Sequence, residues 1–221
     1  VGCGGRGTGA AVQALRADPD TVLHAMADSF EDRLLSSLEL LKKAHGQRAD
    51  VKKNRQFIGF DAYQKLIDSG VDVVLLATPP GFRPAHLTAA IDAGKHVFYE
   101  QPVAVDGPGI RKVLEAAKKA KEKNLSIVSG LCFRYDLQKQ ALYGKVLNGD
   151  IGDVRSISST RYGGELWYKE RQPDWTDMQY KMRNWYYYNW LGGDFIVEMF
   201  VHSMDMISWA MGERMPLSAS G

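Results

Sequence analysis

The most constraining feature of this chain is a run of glycines at its start, Gly2-Cys3-Gly4-Gly5-Arg6-Gly7, which fits G-x-G-x-x-G. In such a run the first glycine makes a tight turn and the second lets the backbone approach a pyrophosphate. The third lets the following helix pack close to a strand. The helix N-terminus then offers unpaired N–H groups and a partial positive charge to the phosphates. The run alone says little. Here a helix-like stretch follows, then an apolar run ending in Asp28, 28 − 7 = 21 residues after Gly7. An acid at that place accepts hydrogen bonds from adenosine ribose hydroxyls and repels a 2′-phosphate. Gly2, Gly4, Gly5, Arg6, Gly7 and Asp28 therefore read as a cradle for NAD, in preference to NADP. The alternative is a glycine turn without ligand and a surface aspartate.

The chain continues in the same style to residue 131. Apolar runs at 22–27, 71–77, 96–99 and 126–131 alternate with helix-like stretches at 8–17, 31–44, 62–68, 84–93 and 109–123. Strands separated by helices of this length predict βαβ units and a parallel sheet. Continuous rather than alternating apolar runs suit strands covered by helices on both faces. After 131 the texture changes. Residues 135–147 read as a helix, 148–152 as a turn cluster and 154–162 as a strand with one half-polar face. An irregular segment fills 163–193, and 195–211 is apolar and helical. The reading is α/β, with a nucleotide-binding domain at 1–131 and a second domain at 132–221. Both ends read as cut, so the chain is expected to be part of a longer protein.

Composition removes several classes. Lys plus Arg is 28 and Asp plus Glu is 26, a net charge of +2. That leaves no basic footprint for nucleic acid. No apolar run approaches the ~18–20 residues that span a bilayer, so no membrane partner is expected. Cys3 and Cys132 make neither a disulfide framework nor a zinc spacing. A reducing compartment, the cytoplasm, is the default reading. An exported form stays open because the true N-terminus is not visible.

Three places carry chemistry beyond the glycine turn. Ligands of open parallel sheets sit beyond the carboxyl ends of the strands. Two such ends are chemically marked: Thr78-Pro79-Pro80, with His86 in the next helix, and Glu100-Gln101-Pro102. Prolines there also simply end pairing and fix chain direction. The third place is the helix at 195–211. At about 100° per residue, His202 falls ~40° from Glu198, and Asp205 ~20° from it on the other side. A carboxylate one turn from an imidazole can fix its tautomer, raise its pKa and make it a general base. Glu and His at i and i+4 can also chelate a metal, but no further ligand cluster supports one, and no metal is expected. A satisfied core histidine beside a helix salt bridge is the plain alternative. Finally, residues 161–190 hold ten Trp or Tyr in thirty positions. Such rings suit the apolar face of a sugar, and equally suit a loop that anchors itself by burying them.

Taken together these segments resemble the Gfo/Idh/MocA family of NAD(P)-dependent sugar oxidoreductases. The resemblance runs over essentially the whole chain. It rests on GCGGRGTG, on ATPPGFRPAHLTAAIDAGKHVFYEQPVAVD and on GDFIVEMFVHSMDMISWAMGE. It implies a Rossmann domain followed by an α/β domain with an open mixed sheet, incomplete here, through which subunits pack as homo-oligomers. It places the active site between the domains. Thr78, Pro79, Pro80, His86, Glu100 and Gln101 then join the glycine turn and Asp28 as cofactor-binding candidates. His202 becomes the base, oriented by Glu198, with Gln101 beside the reacting hydroxyl. Arg134, Arg183, Trp185 and Asp205 become candidates for holding a sugar or cyclic polyol. Two residues depart from the family pattern: Gln101 replaces the lysine of Glu-Lys-Pro, and Glu198 stands where many members have Asp. A glutamine can donate a hydrogen bond but carries no charge and relays no proton. Besides dehydrogenation, the family includes glycosidases that work by transient oxidation and elimination. Gln101 also leaves open a non-catalytic NAD-bound homologue.

Overall fold

The computed structural model describes residues 1–220. They divide into a unit spanning Val1–Gly130 and a second beginning at Leu131. In the first, the glycines pass directly into α1 (Gly5–Ala17), followed by β1 (Met26–Asp28) and α2 (Glu31–His45). Then come β2 (Gln56–Ile58), α3 (Ala62–Ile67), β3 (Val73–Leu76) and α4 (Arg83–Asp92). β4 (His96–Tyr99), α5 (Gly107–Glu122) and β5 (Ile127–Ser129) complete the unit.

The helix ends follow local chemistry. α2 opens with Glu31 and Asp32 and closes with Lys42, Lys43 and His45, complementing its dipole at both ends. α5 starts where the Asp106 side chain accepts a hydrogen bond from the Gly109 N–H, at 2.7 Å.

All strand pairs are parallel. β1 pairs with β2, and β3, β4 and β5 form a second sheet in that order, with Leu76 opposite Tyr99 and Tyr99 opposite Ser129. Val1 and Gly2 lie between the two sheets. The Gly2 N–H donates to the Ala27 carbonyl at 2.8 Å, and the Ala77 N–H donates to the Val1 carbonyl at 2.9 Å. The carboxyl ends of β1 and β3 therefore meet at the glycine turn. β2 was not predicted. It is an edge strand, and its Gln56-Phe-Ile58 sequence lacks the continuous apolar run of a covered strand.

Two apolar clusters hold this unit. One joins Val74 and Leu76 of β3 and Val97 of β4 to Leu87 and Ile91 of α4 and Val113 of α5. The other joins Leu15 of α1 and Met26 of β1 to Leu34, Leu38 and Leu41 of α2. Leu15, Leu34, Leu41, Leu76, Leu87 and Ile91 are among the fully buried side chains, each contributing roughly 1.5–3 kcal/mol by burial.

The second unit contains α6 (Leu137–Leu147), α7 (Asp177–Arg183), α8 (Asn189–Gly192), a π-helical turn (Ile196–Phe200) and α9 (Val201–Ala210). A Thr176/Gln179 capping box starts α7. The strand predicted at 154–162 does not form, and among the described residues this unit has no strand. The expected open mixed sheet, with its subunit-packing face, is therefore not built by these residues. The physical reason is that alternation gives a segment two faces, but a strand also needs a neighbour for its backbone N–H and C=O groups. Here the segment stays largely exposed.

Candidate active site

The glycine turn is shaped by contacts that forbid side chains. Gly2 has φ +86°, and a Cβ there would lie 2.7 Å from the Ala77 carbonyl. A Cβ on Gly7 would lie 1.8 Å from the Gly2 carbonyl oxygen. By contrast, a Cβ on Gly5 would meet nothing within 4 Å, and one on Gly4 would meet only Arg33 Nη1, at 3.7 Å. The turn is thus packed tight behind and open in front, where α1 begins. That open backbone face and helix N-terminus fit a dinucleotide pyrophosphate.

Asp28 ends β1 beside this turn and is buried. One carboxylate oxygen accepts the Cys3 N–H at 2.6 Å and the other the Phe30 N–H at 2.8 Å. It therefore clamps the glycine turn to the start of α2. A carboxylate has about four acceptor positions, so two remain for ligand hydroxyls. Arg33 was missed by sequence reading. It follows Asp28 by five residues in α2, and its guanidinium sits 5.6 Å over the Phe30 ring, a cation beside Gly4.

The strand ends differ in kind. After β3, Thr78 and Pro80 are buried, and Thr78 Oγ1 lies 3.3 Å from His86 Nδ1. The His86 ring stacks on Tyr63 at 4.1 Å. Burial, with Arg83 adding, pushes its pKa down to about 4. His86 thus belongs to the packed interior. Pro79 precedes the 3-10 turn that leads into α4.

After β4, Glu100 is buried and pairs with Arg6 of the glycine turn at 3.2 Å. Burial raises its pKa, against the pull of Arg6 and Arg83. Gly130, also unforeseen, makes room for it: a Cβ there would lie 2.8 Å from Glu100 Oε2. A glycine directly after β5 is its only sequence signal. Gln101 Oε1 is buried without a hydrogen-bond partner. An orphaned acceptor of this kind suits a ligand donor. Arg83, another residue not singled out, donates to the Pro102 carbonyl and fixes this turn.

A cavity of about 450 Å³ also opens in this unit, lined by Leu15, Leu23, Ala25, Leu41 and Val74 among others. Gly2, Cys3 and Gly7 of the glycine turn line it as well.

In the second unit the three polar side chains of 195–211 take separate partners. Glu198 lies in the π-helical turn, buried, and accepts a hydrogen bond from the Tyr186 hydroxyl at 3.1 Å. Asp205 accepts Arg134 in bidentate fashion, with Nε at 3.0 Å and Nη2 at 2.8 Å. Arg134 also pairs with Glu213 and lies 4.8 Å over the Trp209 ring. That network ties α9 to the segment before α6. His202 is half-buried with its ring 5.0 Å from Phe133. The expected rise in its pKa is reversed, because burial and Arg161 outweigh the attraction of Asp205. The uniform 100° spacing fails here because a π turn adds a residue to the helical ring.

The aromatic segment largely packs on itself. Trp185 stacks on Tyr186 at 4.0 Å, Trp167 meets both edge-on, and the Tyr168 and Tyr180 hydroxyls lie 2.7 Å apart. Arg183 lies 4.7 Å over Trp175. Trp167, Tyr168, Tyr187 and Trp190 stay partly exposed. Among the described residues there is no group of three His, Cys, Asp or Glu that could hold a metal, and no helix long and apolar enough to cross a membrane.

Comparison with known proteins decides the family. The model of the Gfo/Idh/MocA oxidoreductases with an NAD-binding Rossmann fold matches residues 1–128. The chain belongs to this family. Myo-inositol 2-dehydrogenase of Thermotoga maritima is 26% identical over 195 residues, 88% of this chain and 49% of that protein. Trans-1,2-dihydrobenzene-1,2-diol dehydrogenase of Mus musculus is 25% identical over 210 residues, 92% of this chain and 56% of that protein. A 3-ketoreductase from Actinomadura kijaniata, solved with NADP and TDP-benzene, shares the fold with a TM-score of 0.66 at 22% identity. It is matched over 95% of this chain and 55% of its own. The chain spans about half the length of the relatives it matches. The matched residues of this Gfo/Idh/MocA member include the glycine turn, Asp28 and Glu100-Gln101-Pro102.

Proposed function

We propose that this chain forms the cofactor-binding part, and some of the substrate side, of an oxidoreductase moving a hydride between a sugar or cyclic polyol and NAD. The observation that carries the reading is the glycine turn, closed behind by Gly7 on Gly2 and open in front at Gly4 and Gly5, with Asp28 clamped beside it. The dehydrogenases among the family relatives support the polyol class.

In this reading the α1 N-terminus and the turn hold the pyrophosphate, and Arg33 adds positive charge there. Asp28 takes the ribose hydroxyls, which favours NAD over NADP. Thr78, Pro79, Glu100 and Gln101 border the same end of the sheet. NAD bound there supplies the hydride acceptor. His202, with its pKa lowered, is neutral at pH 7 and free of a proton it would otherwise have to lose; it serves as the base for a hydroxyl proton. Trp185, Trp167 and Arg183 border the sugar. Gln101 donates a neutral hydrogen bond where the family lysine would donate a charged one. The two cysteines, unpaired, suit a cytoplasmic setting.

The test is a screen of inositols, other polyols and glycosides on the full-length protein, following NADH absorbance and released aglycone together. Sustained NADH formation is expected. Aglycone release without net NADH would replace the dehydrogenase by the eliminating glycosidase. His202→Ala is expected to lower turnover by ~10²–10⁴-fold while NAD affinity holds. Unchanged turnover at saturating substrate would remove His202 from the mechanism.

A further inference from the structure

We infer that Tyr186 is a positioning residue that fixes the Glu198 carboxylate in the second unit. The effect on turnover rests on the oxidoreductase reading above; the pairing itself does not. The Tyr186 hydroxyl donates to Glu198 Oε1 at 3.1 Å, and Glu198 is 6% exposed. A carboxylate so buried needs donors, because desolvation otherwise drives it to its neutral form.

The phenol is itself held from several sides. Its ring stacks on Trp185 at 4.0 Å and 20° and meets the edge of Trp167 at 5.5 Å and 76°. The chain just before it is pinned by Asn184, 1% exposed, whose side chain accepts the Lys169 N–H at 2.8 Å and donates to the Lys169 carbonyl at 3.0 Å. Gly192 lets the Trp185 backbone pack close, since a Cβ there would lie 3.2 Å from the Trp185 carbonyl. The hydroxyl thus arrives at Glu198 with little freedom left to lose, the condition under which one hydrogen bond sets a geometry. Glu198 in turn sits in a π-helical turn, an irregularity that re-aims side chains. His202 follows on the same run of helix, with Arg161 and Asp205 near enough to act on its charge. Through Trp167 and Trp185, this arrangement links the aromatic segment to the carboxylate one turn before His202.

The pairing is tested on this chain by ¹³C NMR of the glutamate carboxyl and tyrosine Cζ carbons, assigned with Glu198→Gln and Tyr186→Phe. Phe keeps the ring stack and removes only the hydroxyl. Removing a donor from the charged form raises a carboxyl pKa. The Glu198 midpoint is expected to rise by about one pH unit in Tyr186→Phe, from the ~1 kcal/mol typical of such a bond. In the parent, the Tyr186 Cζ signal is expected to report the Glu198 midpoint, and to lose that step in Glu198→Gln. This second measurement needs no folded Tyr186 variant. An unmoved midpoint, or a Cζ signal blind to Glu198, would overturn the pairing.

The positioning role is read on the full-length enzyme with whichever polyol the screen identifies. Tyr186→Phe is expected to lower kcat about tenfold with KM changed less than about twofold. A shifted midpoint with unchanged kcat would overturn the positioning role. Absence of any turnover in the parent would count against the oxidoreductase reading, while the NMR result still decides the pairing.

Discussion

Lowering the pH from 7 to 4 is expected to cost this chain about 3 kcal/mol of stability through His86. Its ring is buried against Tyr63, with Thr78 at 3.3 Å, and its pKa is held near 4, against an ordinary 6.5. Above pH 6.5 His86 is neutral in both states and costs nothing. Between 6.5 and 4 only the unfolded chain takes up the proton, so stability falls as pH falls, by up to ~1.4 kcal/mol per unit. Below 4 both states are protonated and the loss stops growing. The gap of 6.5 − 4 = 2.5 units gives the figure of about 3 kcal/mol. Glu100 acts in the opposite sense, since its raised pKa makes the folded chain hold a proton more readily. The two are separated by comparing variants. His86→Phe retains a ring for Tyr63 to stack on and does not titrate. Urea unfolding at pH 7, 6, 5 and 4 is the assay, with the difference between parent and variant as the readout. The parent is expected to lose about 3 kcal/mol more than His86→Phe across that range. Parallel pH dependence in the two proteins, or an NMR midpoint for His86 near 6.5, would refute the reasoning.

Gly7→Ala places a methyl 1.8 Å from the Gly2 carbonyl. It is expected to cost about 1–3 kcal/mol in urea unfolding and to weaken NAD binding by calorimetry. Asp28→Ala strands the Cys3 and Phe30 N–H groups as well as removing a ribose acceptor. It is expected to lower stability by about 2–4 kcal/mol and, in folded protein, to weaken NAD more than NADP; equal loss for both would argue against Asp28 as the discriminating residue. Gln101→Lys is expected to raise the single-turnover rate on NAD-loaded full-length enzyme at least about tenfold, since a charged donor stabilises a developing alkoxide better than an amide. A flat or lower rate would mean that Gln101 serves another chemistry.

Much of the first unit was legible because its signals are local. Short apolar runs, helix-like stretches between them and glycines at their junctions located four of the five strands and all five helices of that unit, within a few residues at their ends. β2 escaped because an edge strand has little apolar surface to bury. The 22–27 run was read too long at its start, since only Met26 and Ala27 of it pair in a strand. In the second unit the same kind of local reading misled. Alternation at 154–162 suggested a strand, yet among the described residues no neighbouring strand is present to pair with it. The polar side chains of 195–211 looked like one cluster on an ideal helix; in the structure Glu198 lies in a π turn and pairs with Tyr186, and Asp205 pairs with Arg134.

The sequence by itself determined the nucleotide cradle in outline. A fixed spacing of glycines, a helix and an acid after the next strand are consequences of backbone geometry that few other residues satisfy. Tertiary structure decided what each polar side chain has left to offer. Asp28 spends one acceptor on the glycine turn and one on the start of α2, His86 is buried in the packed interior, and Arg134 and Asp205 neutralise each other. Those outcomes depend on partners 2 to 71 residues away in sequence. Hydrogen bonding and burial act over a few ångströms of space whatever the distance along the chain, so they become readable only once the chain is folded.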